Sequence, residues 1–421
     1  MSATVFENAN AMPAPTWHRM KASSTTIQIP DGLEEAQSVS VQATDGAFGE
    51  ADAFDAAIAS AQQAWEAQAT PYLTTAKVDA SKSDADADAL YGGTALSRYQ
   101  AKSDAIGEAQ SLAAAFETGI GREVFAFMRE AADEPIVIAA PAGKTVSATL
   151  DVAGVDGAMN FAAVDLVAGA GADLTLIVNV DSPDEGAGFV GTSVRAFADD
   201  DASIHIVRTQ TLDDGWTDLD DMGLFTGADA SIDVRQTILG ASETYTGIAG
   251  DIRGARSRMD ITARYLGHGQ QKHDISYTLR HHGVKTRCSI NANGVLAGES
   301  QKSLRGTIDL VRGCKGAEGQ ENETVLLVDD AVQNKTVPVI LCNEDDVAGN
   351  HGATIGHVRP EQMFYLASRG LSQEAAEQMF VRAMLEQAAI DAPDDTSRAN
   401  VIRLGNKLVD NFDAGFVGEE A

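Results

Sequence analysis

From Glu134 onward the chain alternates apolar and polar residues over short segments that are separated by Gly, Asp and Asn turns. Four segments share a turn–small–apolar–polar–apolar order, and their first apolar residues are Leu174, Ile204, Ile232 and Met259. The steps between these residues are 30, 28 and 27 positions. Such a repeat predicts stacked coils, a β-solenoid, in which each coil covers the inner face of the next. A β-sandwich whose strands resemble one another by chance is the alternative.

The apolar pattern changes near the C-terminal end of the repeats. Further strands are expected at residues 274–279, 286–290, 304–311, 324–328 and 337–341. Pro360 then suits a first helical turn, Gly370 a left-handed C′ position and Ser372 a helix cap. A last helix is expected from about Ser397, so that three short helices form a small separate unit. Their predicted apolar faces are Met363, Phe364, Leu366 and Ala367; Ala376, Met379, Phe380, Ala383, Met384 and Ala388; and Val401, Leu404, Leu408 and Phe412.

The region before the repeats is expected to be helical, with an extended arm at Pro15-Thr-Trp17. Helical spacing in residues 51–69 and 98–132 predicts two helices, and Gly119 and Gly121 are expected to break the second. A polar stretch between the two helices, residues 77–88, predicts a mobile loop. The predicted domains are an N-terminal helical region, a β-helix core and a C-terminal helical domain, at residues 1–132, 133–358 and 359–421.

Composition restricts the partners and the compartment. Acidic residues outnumber basic residues by 62 to 31, for a formal net charge of −31. Such a surface repels nucleic acid and anionic lipid, so neither is expected as a partner. The sequence shows no apolar run long enough to span a membrane and no secretory signal. Its cysteines, Cys288, Cys314 and Cys342, lack CxxC spacing, which favours a reducing cytoplasm and buried thiols that are not ligands.

Two glycine motifs resemble nucleotide-binding loops but are incomplete. Gly143-Lys-Thr ends like a phosphate-binding loop, yet Ile138 stands where the first glycine of that loop belongs. Gly169-Ala-Gly begins like a dinucleotide fingerprint, yet Leu174 replaces the third glycine. Both motifs are therefore expected to form turns.

The histidines leave one candidate ligand. Neighbouring side chains on a strand point to opposite faces, so His281 and His282 are not expected to share a metal ion. His351 lies in an Asn-His-Gly-Ala-Thr run that predicts a turn, and its small neighbours leave the imidazole accessible. The residues themselves do not decide between a ligand and a surface histidine at this position. They predict an acidic binding protein without a catalytic constellation.

Motifs near the end of the solenoid resemble a known family. The segment DDVAGNHGATIG at 345–356 is followed by QMFYLASRG at 362–370. With GQEN at 319–322 and Pro338 upstream, these motifs resemble the SufB/SufD family of iron–sulfur cluster assembly proteins. The His351-Gly pair is similar to SufD rather than to SufB, which usually has His-Glu-Ala there.

The resemblance implies a right-handed parallel β-helix between helical ends and a non-catalytic scaffold subunit of a SufBCD complex. Its implied partners are a SufB paralogue, bound through the β-helix, and the ABC-type ATPase SufC, docked on the C-terminal helices. It leaves open a homodimer when the chain is alone, and no nucleotide is expected on this chain. The residues implied at the ATPase contact are Phe364, Tyr365, Leu366, Arg369 and Gly370.

The resemblance also implies that His351 helps to hold iron or a transient iron–sulfur cluster at the SufB–SufD interface. Many members have Cys-Ser-His-Gly at this point, whereas this chain has Gly349 at the cysteine position. A thiolate ligand is therefore excluded there, and the candidate ligand is the imidazole alone. Two alternatives are a SufB-type main scaffold, which His351-Gly-Ala disfavours, and a β-helix polysaccharide-active enzyme, which needs paired carboxylates and usually export.

Overall fold

The computed structural model describes residues 3–13, 22–61 and 118–412. The chain divides into two compact units, residues 1–51 with 117–421 and residues 52–116. In the second unit the described residues include a helix at 53–61, within the first predicted helix. The remaining predictions for the N-terminal region that lie outside the described residues are the arm at 15–17, the loop at 77–88, and the helical segments at 62–69 and 98–117.

The first unit is mainly β, with a parallel solenoid and a small C-terminal helical region. Its helices are α1 Arg122–Ala131, α2 Pro360–Ser368, α3 Gln373–Ile390 and α4 Asp395–Leu408. Its strands are β1 Ala3–Ala9, β2 Thr25–Pro30, β3 Glu34–Glu35, β4 Val39–Ala43, β5 Ile136–Ala140, β6 Thr145–Ala153, β7 Ala158–Ala168, β8 Asp173–Asp181, β9 Gly188–Ala198, β10 Ser203–Gln210, β11 Trp216–Thr226, β12 Ser231–Ile238, β13 Glu243–Ile252, β14 Arg258–Gly267, β15 Lys272–His281, β16 Arg287–Leu296, β17 Gln301–Leu310, β18 Glu318–Leu327, β19 Gln333–Cys342 and β20 Ala348–His357.

Two sheets face each other across the solenoid. Sheet I contains the even-numbered strands from β4 to β20, and sheet II contains the odd-numbered strands from β7 to β19, with β3 and β5 beside β7. From β6 onward each strand pairs in parallel with the strand two places later, so one coil consists of one strand from each sheet. This arrangement confirms the predicted solenoid and excludes the sandwich. We call the space between the sheets the lumen.

The predicted repeat register is confirmed residue by residue. Leu174 pairs with Ile204, Ile204 with Ile232 and Ile232 with Met259. All four side chains are buried in the lumen. Residues at equivalent positions of successive coils form what we call a column. Burial of each apolar side chain in a column stabilises the fold by about 1.5–3 kcal/mol.

Turn residues between the strands have the conformations that the sequence predicted. Gly143 and Gly171 have φ values of 67° in the turns before β6 and β8, so neither belongs to a nucleotide-binding loop. Gly121 has a φ of 116° at the start of α1, which confirms the predicted break before that helix. Four strands begin earlier than expected, namely β15, β17, β18 and β19. The difference is largest in β18, which starts at Glu318 rather than at Thr324, because polar residues in its first half hide the apolar alternation.

We expect Ile261→Ala to lower the free energy of unfolding by about 2–5 kcal/mol, because it opens a cavity in a lumen column that no neighbour can fill. Ile261 is fully buried on β14. Urea unfolding measures the change. Arg235→Ala, on the exposed outer face of β12, serves as control and should shift stability by less than about 0.5 kcal/mol. Equal effects of the two substitutions would contradict the assignment of the lumen as the core.

The N-terminal segment covers the outer face of sheet II. It contains the β1–β2 hairpin as well as α1, so the expectation of a helical region is correct only in part. Phe6, Ile27 and Met128 pack there against Phe161 and Leu219 of the sheet. In β2 the buried Ile27 and Ile29 alternate with exposed residues, whereas β1 buries only Phe6 and Ala9, with a register irregularity between them, so β1 lacks the alternation that predicts a strand.

Ion pairs and hydrogen bonds attach this segment to the sheet. Arg129 of α1 donates to Asp165 of β7 over 2.9 Å. Asn10 Nδ2 donates to Asp274 Oδ1 over 2.8 Å, and within the sheet the same carboxylate accepts two hydrogen bonds from Arg305, of 2.7 and 3.0 Å. The backbone N–H of Ile120 donates to Asp221 Oδ1 over 2.9 Å. Asp221 is fully buried, so it must satisfy its oxygens within the protein.

We expect the free energy of unfolding of the Asp221→Asn variant to increase relative to that of the parent chain as the pH rises. Burial raises the pKa of Asp221 from 3.8 to about 7, against hydrogen bonds from Ile120 and Thr118. Below pH 3.8 the carboxyl of Asp221 is protonated in both the folded and the unfolded chain, so it does not lower the stability of the fold. Between the two values the unfolded chain loses its proton first, so the parent is destabilised on the order of 1 kcal/mol per pH unit. Urea unfolding at pH 5 and pH 8 tests this, and a difference that does not change with pH would contradict it.

The C-terminal helices pack on the outer face of sheet I. Pro360 begins α2, Gly370 has a φ of 91° and the Ser372 side chain caps α3, as predicted. The cap of α4 is Asp394, whose Oδ1 accepts a hydrogen bond from the Ser397 N–H over 2.7 Å.

Burial in these helices departs from the prediction in α3. The predicted Ala376 and Ala388 are buried, and Leu385 and Ala389, which were not predicted, are buried with them, whereas Met379 and Ala383 are exposed. The face turns because α3 packs against Leu239, Leu266 and Val295 of the sheet, which the helix sequence does not reveal. In α4 the predicted Val401 and Leu404 are buried in the same cluster, and Phe412, which was predicted on this helix, lies beyond its end at Leu408 and is buried there too. Helices α3 and α4 therefore share a core with the solenoid.

Candidate functional site

The last coil consists of β19 and β20, which form the edges of the two sheets. β20 pairs with β18 in a register that sets His351 over Glu321. A Cβ at Gly349 would lie 3.1 Å from Ile340 Cγ2, so position 349 faces the lumen. His351, two residues later, faces the same way. Its side chain is exposed, because the described residues provide no further coil above it.

His351 lies in the middle of a strand, which corrects the prediction of a turn. The glycines of this segment, Gly349, Gly352 and Gly356, do not have positive φ values, so their freedom is not used for a reversal. Ten residues pair in parallel with β18 instead. The pairing partner of His351 is thirty positions away, and short-range turn preferences cannot report such a partner.

Directly beneath the last coil the lumen carries charge. Lys302 and Glu323 are buried and form an ion pair. The hydroxyl of Tyr265 donates to Glu323 Oε1 over 2.8 Å, and that of Thr336 donates to Glu323 Oε2 over 2.6 Å. Burial lowers the pKa of Lys302, although Glu323 acts in the opposite direction. Both carboxylate oxygens of Glu323 accept hydrogen bonds, Oε1 from Lys302 and Tyr265 and Oε2 from Thr336.

Glu321 is the neighbouring carboxylate, and it lacks such partners. Its side chain is 2% exposed, and its Oε2 has no hydrogen-bond donor among the described residues. The carboxylate fills space opposite Gly306, where a Cβ would lie 2.0 Å from Glu321 Oε1. Burial and, to a smaller extent, repulsion from Glu323 raise the pKa of Glu321 to about 7, although attraction by Lys302 lowers it. At neutral pH both forms of this group are populated.

A second charged network lies deeper in the lumen. Arg208 donates to Asp218 in a two-point contact of 3.0 and 2.5 Å. Gln236 donates to Asp220 and accepts a hydrogen bond from the Tyr277 hydroxyl over 2.6 Å. Burial raises the pKa of Asp220 to about 6, although Arg208 lowers it. These side chains satisfy one another, so the network acts as a structural element of the core.

The sequence analysis missed both lumen networks. The repeat could have revealed the network at Glu321. Ile261, Ile290 and Glu321 occupy one column, and His351 continues it. Extension of the register beyond Met259 places Glu321 inside the lumen from the sequence alone. Its charge would then have marked the position as unusual.

The cysteines differ in exposure. His281 Nε2 lies 3.1 Å from Cys288 Sγ, and His281 Nδ1 lies 2.7 Å from Thr286 Oγ1. Burial raises the pKa of Cys288 to about 12 and lowers that of His281 to about 4, so both are neutral and the thiol is unreactive. Cys314 is buried too. Cys342 is exposed, which corrects the prediction of three buried cysteines; it lies at the exposed end of edge strand β19.

The adjacent histidines point apart, as predicted. His281 lies in the lumen, whereas His282 Nε2 lies 2.8 Å from Asp251 Oδ1 outside it. One metal ion cannot contact both rings.

Helix α2 presents apolar side chains next to the last coil. Phe364 is 77% exposed and Tyr365 is 55% exposed, and α2 contains no buried residue. Arg369 lies over the Tyr365 ring, with 5.3 Å between the guanidinium carbon and the ring centroid. Leu366 is half-buried. A groove of about 380 Å³ separates α2 from the solenoid and is lined by Val328, His357, Val358, Met363, Phe364 and Leu371.

Two further findings apply to the described ranges, 3–13, 22–61 and 118–412. They contain no group of three or more His, Cys, Asp or Glu side chains arranged to hold a metal ion. Their helices include none with the length and apolar character needed to cross a membrane.

A parallel β-solenoid with a charged lumen and an open last coil defines the structural class. The family model for the SufBD core domain of SUF-system iron–sulfur cluster assembly matches residues 151–384. That range is more than half of the chain, so the chain belongs to the SufBD family of iron–sulfur cluster assembly proteins. Within that family it is most like SufD.

Relatives in three bacteria support the assignment. The iron–sulfur cluster assembly protein SufD of Bacillus subtilis (strain 168) is 25% identical over 211 residues, which are 50% of this chain and 48% of that protein. SufD of Escherichia coli (strain K12) is 30% identical over 115 residues, 27% of each chain. A SufBD family protein of Mycobacterium leprae (strain TN) is 32% identical over 133 residues, 32% of this chain and 15% of that protein. The chain spans about half the length of the first relative and less of the others.

Proposed function

We propose that this chain is a non-catalytic, SufD-like scaffold subunit of a SufBCD-type complex in a reducing cytoplasm. The observation that carries the proposal is the open last coil, in which His351 is exposed on the lumen face. No described strand pairs with the outer edges of β19 and β20, which therefore leave backbone hydrogen-bonding groups available. Such edges pair readily with another chain.

A SufB paralogue is the partner that suits this end of the solenoid. All residues of β20 except Gly356 are exposed, whereas the equivalent lumen positions of earlier coils are covered by the next coil. A paralogue with the same fold can supply the missing cover from its own last coil. A second copy of this chain has the same geometry and can form a homodimer when SufB is absent.

Iron or a nascent iron–sulfur cluster is the cargo of this interface. A neutral imidazole is a serviceable iron ligand, and its moderate affinity suits a cluster that must be released. Gly349 offers no thiolate, so His351 is the ligand that this strand contributes. SufB and the cluster sulfides supply further ligands. The sulfur originates from cysteine through a desulfurase.

We expect His351→Ala to lower the cluster content of the reconstituted complex at least severalfold while the complex still assembles. The imidazole is exposed and pairs with no described group, so its removal leaves the fold intact. Anaerobic reconstitution followed by absorption spectroscopy and iron analysis measures the cluster, and gel filtration measures assembly. His205→Ala, on the outer face of β10, is the control. Unchanged cluster content in the His351 variant would remove the proposed ligand role.

The ATPase SufC is proposed to dock on α2 and the groove beside it. Phe364 and Tyr365 expose apolar area next to an accessible groove, and exposed aromatic residues of this kind often dominate binding energy. Arg369 and Gly370 lie at the end of the helix, where Arg369 stacks on Tyr365, and Leu366 is half-buried beside them.

We expect Phe364→Ala to weaken binding of a SufC-type ATPase by at least tenfold. An anchor residue of this size contributes about 2 kcal/mol or more when a partner covers it. Co-expression and affinity measurement test the effect, with Phe48→Ala as the control because Phe48 is 59% exposed on another surface. If the parent chain binds neither the ATPase nor a SufB paralogue, or hydrolyses ATP alone, the proposed function is wrong.

A further inference from the structure

We propose that Glu321 is a second ligand for ferrous iron, so that a carboxylate and the imidazole of His351 hold one ion at the end of the lumen. This inference rests on the proposed role of His351. It adds an oxygen donor from the coil beneath. Glu321 lies in the GQEN segment, residues 319–322, in which the sequence predicted no ligand.

The register brings the two side chains together. Glu321 of β18 and His351 of β20 are directly paired in the parallel ladder. Paired residues on neighbouring strands lie about 4.8 Å apart and extend to the same face. One ion can therefore contact the imidazole of one residue and the carboxylate of the other.

The hydrogen bonding of the lumen shows which carboxylate is available. Glu323 uses both oxygens, toward Lys302, Tyr265 and Thr336. Glu321 Oε2 is buried and has no donor among the described residues. A buried carboxylate oxygen without a partner destabilises a fold, and a bound cation would satisfy this one.

Charge and space also favour a cation. When Glu321 is ionised, the two carboxylates and the single ammonium of Lys302 leave one excess negative charge beneath the open coil. Gly306 has no side chain and leaves the opposite wall free for the carboxylate. Ferrous iron accepts mixed nitrogen and oxygen ligands, and these are the donors present here.

The inference is tested by anaerobic titration of the full chain with Fe²⁺ alone, in competition with a coloured chelator. We expect Glu321→Gln to raise the dissociation constant at least tenfold. Glu318→Gln makes the same chemical change on the exposed outer face of the same strand and should leave the constant unchanged. Glu321→Asp keeps a shorter carboxylate and should retain part of the affinity.

Coupling between the ligands gives a second readout. If both residues contact one ion, the double variant His351→Ala/Glu321→Gln loses less binding free energy for Fe²⁺ than the sum of the losses in the two single variants. Thermal unfolding checks each variant, and Glu321→Gln should be at least as stable as the parent at pH 8, because an unpaired carboxylate is removed.

The outcomes separate this inference from the proposed function. Parent-like iron binding by Glu321→Gln, with weak binding by His351→Ala, overturns the role of Glu321 and leaves the scaffold proposal in place. Parent-like binding by His351→Ala overturns the ligand role of His351, and the present inference with it. A parent chain that binds Fe²⁺ no better than the double variant likewise overturns both ligand assignments.

Discussion

The parallel ladder between successive coils is the interaction on which the rest of this structure depends. It stacks each lumen side chain on the equivalent residue of the preceding coil, as Leu174, Ile204 and Ile232 show. A position in one coil is dry because the next coil covers it. Stability therefore accumulates between neighbours, and it ends where the stack ends. The last coil has the same inward geometry as the others, but no part of the chain that the structure describes covers it, and this is why His351 is exposed on a lumen face.

The outer faces of the solenoid are closed by the two ends of the chain. The N-terminal hairpin and α1 cover sheet II, and α3 and α4 cover sheet I. Within residues 3–13, 22–61 and 118–412, no segment covers the edges of β19 and β20 or the aromatic face of α2. The two surfaces proposed for partners are therefore those that the fold does not use for itself, and they lie at the same end of the solenoid.

Charged side chains within the lumen are tolerated because they are paired. Arg208 with Asp218, and Lys302 with Glu323, replace water by fixed hydrogen-bonding partners. A carboxylate that lacks such partners is costly at this depth, and Glu321 is such a group beneath the open coil. The contrast between Glu321 and Glu323, two residues apart on one strand, distinguishes a structural ion pair from a candidate ligand.

The sequence by itself determined the solenoid, its register from Leu174 to Met259, the caps of the C-terminal helices and the family to which the chain belongs. These features rest on local patterns: alternation, spacing, and turn or cap residues such as Gly370 and Ser372. Only the tertiary structure decided that His351 lies on a strand, that it pairs there with Glu321 and that Cys342 is exposed. Those facts depend on partners about thirty residues away along the chain, because the covering of a β-coil is supplied by its neighbours and not by its own sequence.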